Sequence, residues 1–256
     1  MILVKDIMRS IDEAVPFSTQ CAWDNSGFLV GDENQVVETV GFALDLTPET
    51  LQAAKDAGVQ LIVTHHPVIF HAQKNLREGN VIYALVRSGI AAISSHTPWD
   101  CAPGGVNDVL GTLLGLQDLT PVESKEAPRP MARIGTVEPC TGAELAQRVA
   151  AALQTTVRLA DAGKPITRVA VCGGAAIEIL DEAVAAGADA FVTGDLKHHE
   201  ALDALERGVT VIAAGHFETE NPSVAALKAI VEAAFPSLRT VLLPQENPIK
   251  FVSPKG

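Results

Sequence analysis

The chain has 256 residues, 47% hydrophobic and 20% charged, enough for one large core or two modest ones. Its formal charge of −12, with no two Lys or Arg residues adjacent, leaves no positive field for a phosphate backbone, so nucleic acid is not an expected partner of the chain as a whole. Four scattered cysteines without a C-x-x-C pair point to a reducing compartment. No stretch approaches the roughly 20 apolar residues of a bilayer span, and the acid-bearing start MILVKDIMRSIDEAVP reads as an amphipathic helix rather than a signal sequence, so a cytoplasmic location is expected.

The apolar mass is Ala, Val, Leu and Ile, with only 4% aromatics, which favours helices packed on a buried, largely parallel sheet: an α/β protein. After the first helix, WDNSGFLVGD turns into a strand and VVETVGFALD is a second strand. TPETLQAAKDAG then opens a helix with Thr47 as N-cap and Pro48 at its first position, though Thr50 at the third position predicts no full capping box. Gly58 ends it. VQLIVTHHPVIF is a buried strand that breaks at two histidines and a proline, VIYALVRSG a helix, and IAAISSHTPWD a strand with a loop. GGVNDVLGTLLGL is the next helix. Residues 117–135, polar and proline-bearing, read as a linker or domain junction. Beyond it come a helix from Thr141 or Gly142, the strand and glycine turn ITRVAVCGGAA, the helix IEILDEAVAAG, the strand ADAFVTGD, the helix LKHHEALDALERG, and VTVIAAGHFETE as a strand running into a loop. A helix near 222–235 and the strand TVLLPQ close the pattern.

Three strand ends hold four of the seven histidines: THHP (His65, His66), HTPWD (His96, Asp100) and GHFETE (His216, Glu220). The C-terminal ends of strands are where open α/β sheets place ligands. Imidazole with carboxylate suits Zn, Mn, Fe, Ni or Co, and these segments lack the thiolate pair of a structural zinc site. Adjacent histidines on a strand point to opposite sides, so His65 and His66 are expected to diverge unless the chain bends, and two metals can share them. His216 and Glu220, four apart, share one face if a helix starts after Gly215. Two ions about 3.5 to 4 Å apart would lower the pKa of a bridging water, which is hydrolytic chemistry.

WDNSGFLVG, THHPVIF, HTPWDCAPGGVNDVL, VAVCGGAA, TGDLKHHEA and GHFETE, in this order and spanning nearly the whole chain, resemble the GTP cyclohydrolase 1 type 2 homolog family of dinuclear metal proteins. The resemblance implies two interlinked α/β domains with mixed, largely parallel sheets flanked by helices, here 1–120 with 216–256, and 121–215. It implies a toroidal homohexamer and two divalent metal ions per chain. Carried over by position, it assigns His65, His66, Asp100, His216 and Glu220 as ligands, with Glu220 and Asp100 near or between the ions. His96 is then a weaker ligand or a group that orients bound water, and His199 is the histidine matching the family's LKHHE segment, with His198 a departure where an aromatic is usual. Longer members carry an inserted domain, and this chain resembles the compact form.

Other residues admit two readings. VCGGAA and GGVND can cradle a phosphate on backbone N–H groups or be tight structural turns. Cys101 can be a nucleophile with His96 as base, although a metal site makes it unnecessary. Asp24, Asn25 and Asp45 read first as structural, with a reach toward the site as the alternative. The expected function is a metal-dependent hydrolase of a nucleotide or other phosphorylated small molecule, with His96 or His199 as proton carrier. The rival is a metal-binding or regulatory ring protein without catalysis. No purine-reading motif is present, and neither metal identity nor substrate is legible.

Overall fold

A computed structural model describes residues 1–125, 127–250 and 252. The chain folds as two compact units, one built chiefly from Met1–Gly105 and Ser223–Gln245, the other chiefly from Val106–Lys125 and Arg129–Pro222. In chain order the first unit begins with α1 (Val4–Ala14), β1 (Gly27–Val30), β2 (Thr39–Ala43), α2 (Pro48–Asp56), β3 (Leu61–Thr64), α3 (Val81–Ser88), β4 (Ala91–Ser94) and the short α4 (Thr97–Cys101). The second holds α5 (Val106–Leu113), β5 (Gln117–Val122), β6 (Ala132–Cys140), α6 (Gly142–Leu153), β7 (Arg158–Ala160), β8 (Ile166–Cys172), α7 (Leu180–Ala185), β9 (Ala190–Thr193), α8 (His198–Glu206), β10 (Thr210–Ala213) and α9 (His216–Glu220). The chain then returns to the first unit with α10 (Val224–Ala234) and β11 (Arg239–Leu242).

The first sheet runs β1-β4-β3-β2-β11, parallel except for β1 at its edge. The inner strands β2, β3 and β4 are short and buried on both faces, which is why they read as unbroken apolar runs. Ile62 and Ala92 pack with Leu51 and Ala54 of α2 and Leu85 of α3. The alternate residues Leu61, Val63 and Ile93 turn to the opposite face and are equally buried. On α2, Thr50 does what a glutamate would do: its hydroxyl accepts the Thr47 N–H at 2.7 Å, while the Thr47 hydroxyl accepts the Thr50 N–H at 3.1 Å. The capping box absent from the predicted pattern is therefore formed by two threonines.

The second sheet runs β5-β6-β8-β9-β10-β7, with β8, β9 and β10 parallel and the other pairings antiparallel. Val169, Val171, Val192 and Ile212 face Leu145 and Val149 of α6 in one core. The molecule is thus α/β, with two mixed sheets flanked by helices, as expected. The expected junction at 117–135 is instead largely strand, since β5 and the start of β6 occupy it. Its polar composition belongs to an edge strand: most of β5 is exposed and Pro121 sits on it, where a missing N–H is tolerated. The chief unit borders fall after Gly105 and Pro222. The reason is packing: α5 lies on β6 and β8, and α9 lies on α5.

Candidate metal centre

In the first unit β3 and β4 run parallel with Thr64 opposite Ser94, so both strands end at one level. The chain leaves β3 as His65 and His66 and leaves β4 as Ser95 and His96. The Thr64 hydroxyl donates to the His66 carbonyl at 2.7 Å and the Ser94 hydroxyl accepts the Val68 N–H at 3.1 Å, which turns the backbone sharply after the strand. The two histidines therefore do not diverge as strand alternation predicts. They lie beyond the strand's last residue, and their ring centroids are 4.9 Å apart. His65, His66 and His96 each bring a ring nitrogen within 4.8 Å of the others. Asp100, in the first turn of α4, places Oδ1 3.6 Å from His65 Nε2.

Every ring in this cluster is fixed through Nδ1. His65, fully buried, donates Nδ1–H to the Ser95 carbonyl at 3.0 Å. His66 Nδ1 lies 2.6 Å from Asp45 Oδ1, and Asp45 follows β2 and accepts from Gln245, which follows β11. His96 Nδ1 lies 2.8 Å from Asp24 Oδ1. Because a carbonyl or an ionised carboxylate only accepts, each Nδ1 carries its proton, and in the neutral ring Nε2 presents a lone pair. This is how metal-binding histidines are commonly oriented. Burial pushes the Asp24 carboxyl up, but the His96 ring, Thr97 and the Asn25 N–H outweigh it and hold the group well below the usual carboxylate range.

The second unit repeats the scheme. Cys172, Thr193 and Ala213 end the parallel strands β8, β9 and β10 at one level, and the following residues include Gly173, Gly174, Asp195 and His216. His216 Nδ1 lies 2.9 Å from Asp195 Oδ2. The chain after Gly215 is the helix α9 rather than a loop, so His216 and Glu220 share one face, with Nε2 3.1 Å from Glu220 Oε2. Glu220 is buried against Gly174, whose absent Cβ would lie within 2.1 Å of Glu220 Oε1. Gly174 also has a φ of +67°. Gly174→Ala is expected to displace the Glu220 carboxylate and to lower metal retention. Gly163→Ala, at a φ of +70° in open space, carries the backbone strain alone. Comparing metal content and Tm of the two variants separates the collision from the strain.

The phosphate reading of VCGGAA does not survive in the structure. The Gly173 N–H donates to Asn107 Oδ1 and the Gly174 N–H to the Thr219 hydroxyl, so both are committed inside the unit. In GGVND, a side chain at Gly105 would collide with the Trp99 carbonyl, which makes this a structural bend. His199 stands exposed in the first turn of α8, beside a cleft lined by Asp181, Asp203 and Arg207 that includes neither His216 nor Asp195. His198 is exposed next to it. Cys101 is buried within α4. Asp24, Asp45 and Asp195 are the site residues least legible in sequence. Their signal was position: two follow a buried strand, and one precedes the edge strand β1.

Among the described residues no helix is long and apolar enough to cross a membrane. A family model for DUF34/NIF3 (NGG1p interacting factor 3) matches residues 2–248. The chain is 33% identical over 226 residues to the GTP cyclohydrolase 1 type 2 homolog of Streptococcus pneumoniae, covering 84% of this chain and 85% of the relative. The Clostridium acetobutylicum protein of the same name is 31% identical, with 97% and 98% covered, so the two match in length with no large insertion in either. Among solved structures, Staphylococcus aureus hypothetical protein SA1388 superposes with a TM-score of 0.90 at 28% identity, covering 98% of this chain and 99% of that one. Matched along nearly its whole length by the family model, the chain belongs to the DUF34/NIF3 family.

Proposed function

We propose that the chain is a metal-dependent hydrolase of a nucleotide or another phosphorylated small molecule, with two divalent ions per chain held by His65, His66, Asp100, His216 and Glu220. The observation that carries this reading is the shared treatment of four histidines. Each has Nδ1 against an oxygen acceptor, and Asp100 stands beside His65 and Glu220 beside His216. Nitrogen and carboxylate donors without a thiolate fit Zn, Mn, Fe, Ni or Co.

Divalent ions bound there supply Lewis acidity and lower the pKa of a coordinated water. The chain's own groups supply the rest: Asp45 and Asp195 fix the orientation of His66 and His216, and His96, steered by Asp24, moves the proton. His96 is preferred to His199 for this role because it stands within the histidine cluster. The name carried by the relatives, GTP cyclohydrolase 1 type 2 homolog, supports a nucleotide as substrate. A homohexamer in the cytoplasm completes the proposal.

The test is a panel of nucleotides and phosphoesters offered to protein loaded in turn with each of the five metals. Turnover that disappears in His65→Ala is the expected result. Uniform failure across substrates and metals would overturn the hydrolase reading in favour of a metal-binding or regulatory protein.

A further inference from the structure

Only 4% of the chain is aromatic, and it has two tryptophans. Trp99 is buried at 1% exposure, whereas Trp23 is 55% exposed and Phe70, beside it, 40%. An exposed indole in contact with an exposed phenyl ring makes a continuous aromatic surface at a polar site. Trp23 and Phe70 touch with centroids 6.1 Å apart, and both reach His96, Trp23 edge-on at 5.7 Å and Phe70 at 6.0 Å.

Neighbouring residues fix this arrangement. Asp24 binds the His96 ring and the Thr97 N–H and hydroxyl, and the Ser26 hydroxyl accepts the His96 N–H. Asn25 donates from Nδ2 to the Ile69 carbonyl at 2.6 Å, tying the Trp23 loop to the residue before Phe70. The three polar residues of the WDNS turn thus anchor the loop, and the tryptophan is left more than half exposed.

We infer that Trp23 and Phe70 recognise a planar heteroaromatic ring, the base of a nucleotide, by stacking, and so set the substrate class of the proposed hydrolase. This rests on the metal-dependent reading above, and it specifies that the heterocycle rather than the phosphate lies nearest His96. Stacking platforms accept any π-face, so the absence of a purine-reading motif in the sequence is no obstacle.

The experiment uses full-length metal-loaded protein, with guanosine and ribose 5-phosphate as separate probes, read by calorimetry and by tryptophan fluorescence. Guanosine is expected to bind and to quench emission from Trp23. Trp23→Ala, which removes an exposed side chain and leaves the core intact, is expected to weaken guanosine by roughly tenfold or more and to abolish the quenching, since only the buried Trp99 remains. Trp23→Phe is expected to restore most of the affinity, Phe70→Leu to lose part of it, and ribose 5-phosphate to be indifferent to all three. Equal guanosine affinity in wild type and Trp23→Ala overturns the inference. So does a Trp23→Ala protein that changes its assembly mass instead of its affinity, because the pair would then be a contact between copies. Metal content is measured on the same samples. Failure of guanosine to bind fully metallated protein overturns the stacking site alone. Guanosine binding through Trp23 in protein that takes up no metal upholds it and overturns the hydrolase reading.

Discussion

Tag-free wild-type protein is expected to carry about two divalent ions per chain by mass spectrometry, and His65→Ala and Glu220→Ala one or fewer. His65 is fully buried, and its ring lies against the Ser95 carbonyl, His66, His96 and Asp100. Alanine there removes a nitrogen donor and leaves a cavity that no neighbouring side chain is shaped to fill with another. Glu220 is 4% exposed and its carboxylate is confined by Gly174, so a substitute at another position has no route to the same place. Metal bound only to the native state also adds stability, about 2.7 kcal/mol when free metal is a hundred times Kd. A chelator is therefore expected to lower the wild-type Tm by more than that of either variant. Full metal content in both variants would falsify the ligand assignment.

Asp24→Ala is expected to be the most destabilising change near the site. The Asp24 side chain is fully buried and accepts from the His96 ring at 2.8 Å, the Thr97 N–H at 3.0 Å, the Thr97 hydroxyl at 2.6 Å and the Ser26 hydroxyl at 2.9 Å. Removing one partner of such a buried network costs about 3–5 kcal/mol, which in a chain of this size lowers Tm by roughly 6–20 °C. The pH dependence has a definite sign. The folded-state pKa of Asp24 is depressed, so its contribution is fully present above the unfolded value of about 3.9 and is lost as pH falls through the lower folded value. The gap between wild type and variant, measured by urea unfolding, is thus expected to hold constant from pH 7 to about 5 and to narrow only in stronger acid. The variant also frees the His96 ring, and metal affinity is expected to fall by about 10- to 100-fold. A Tm equal to that of wild type would show that the network does not stabilise the fold.

Much of this architecture was legible because its signals are local. Buried parallel strands show as apolar runs, Thr47-Pro48 marks a helix start, and the three histidine segments fall where strands end. The elements that sequence obscured are β5, β6 and β7 of the second sheet, β6 being an inner strand. β5 is mostly exposed, and β7 is three residues long, so neither carries an apolar pattern. The histidine partners were obscure for a different reason. Asp24 is 72 residues from His96, and Asp45 and Asp195 are each 21 residues from the ring they hold. Those pairs exist because neighbouring strands end at one level, a relation that no periodicity along the chain expresses. His199 illustrates the converse: a motif placed it near the chemistry, whereas the helix α8 carries it to an exposed face.

The pairing of β11 with β2 has a consequence for how the protein is made. Arg239 lies opposite Thr39, so about 200 residues, including the whole of β5 to β10, are synthesised between one strand and its neighbour. At typical elongation rates that interval is roughly 10–40 s. Throughout it the outer edge of β2 stands open on the nascent chain, a row of unpaired N–H and C=O groups able to template intermolecular pairing. The unit built chiefly from Val106–Lys125 and Arg129–Pro222 can close first, whereas the unit that includes Met1–Gly105 needs Ser223–Gln245. The N-terminal half is therefore the late-folding part, dependent on a strand made only after β5 to β10.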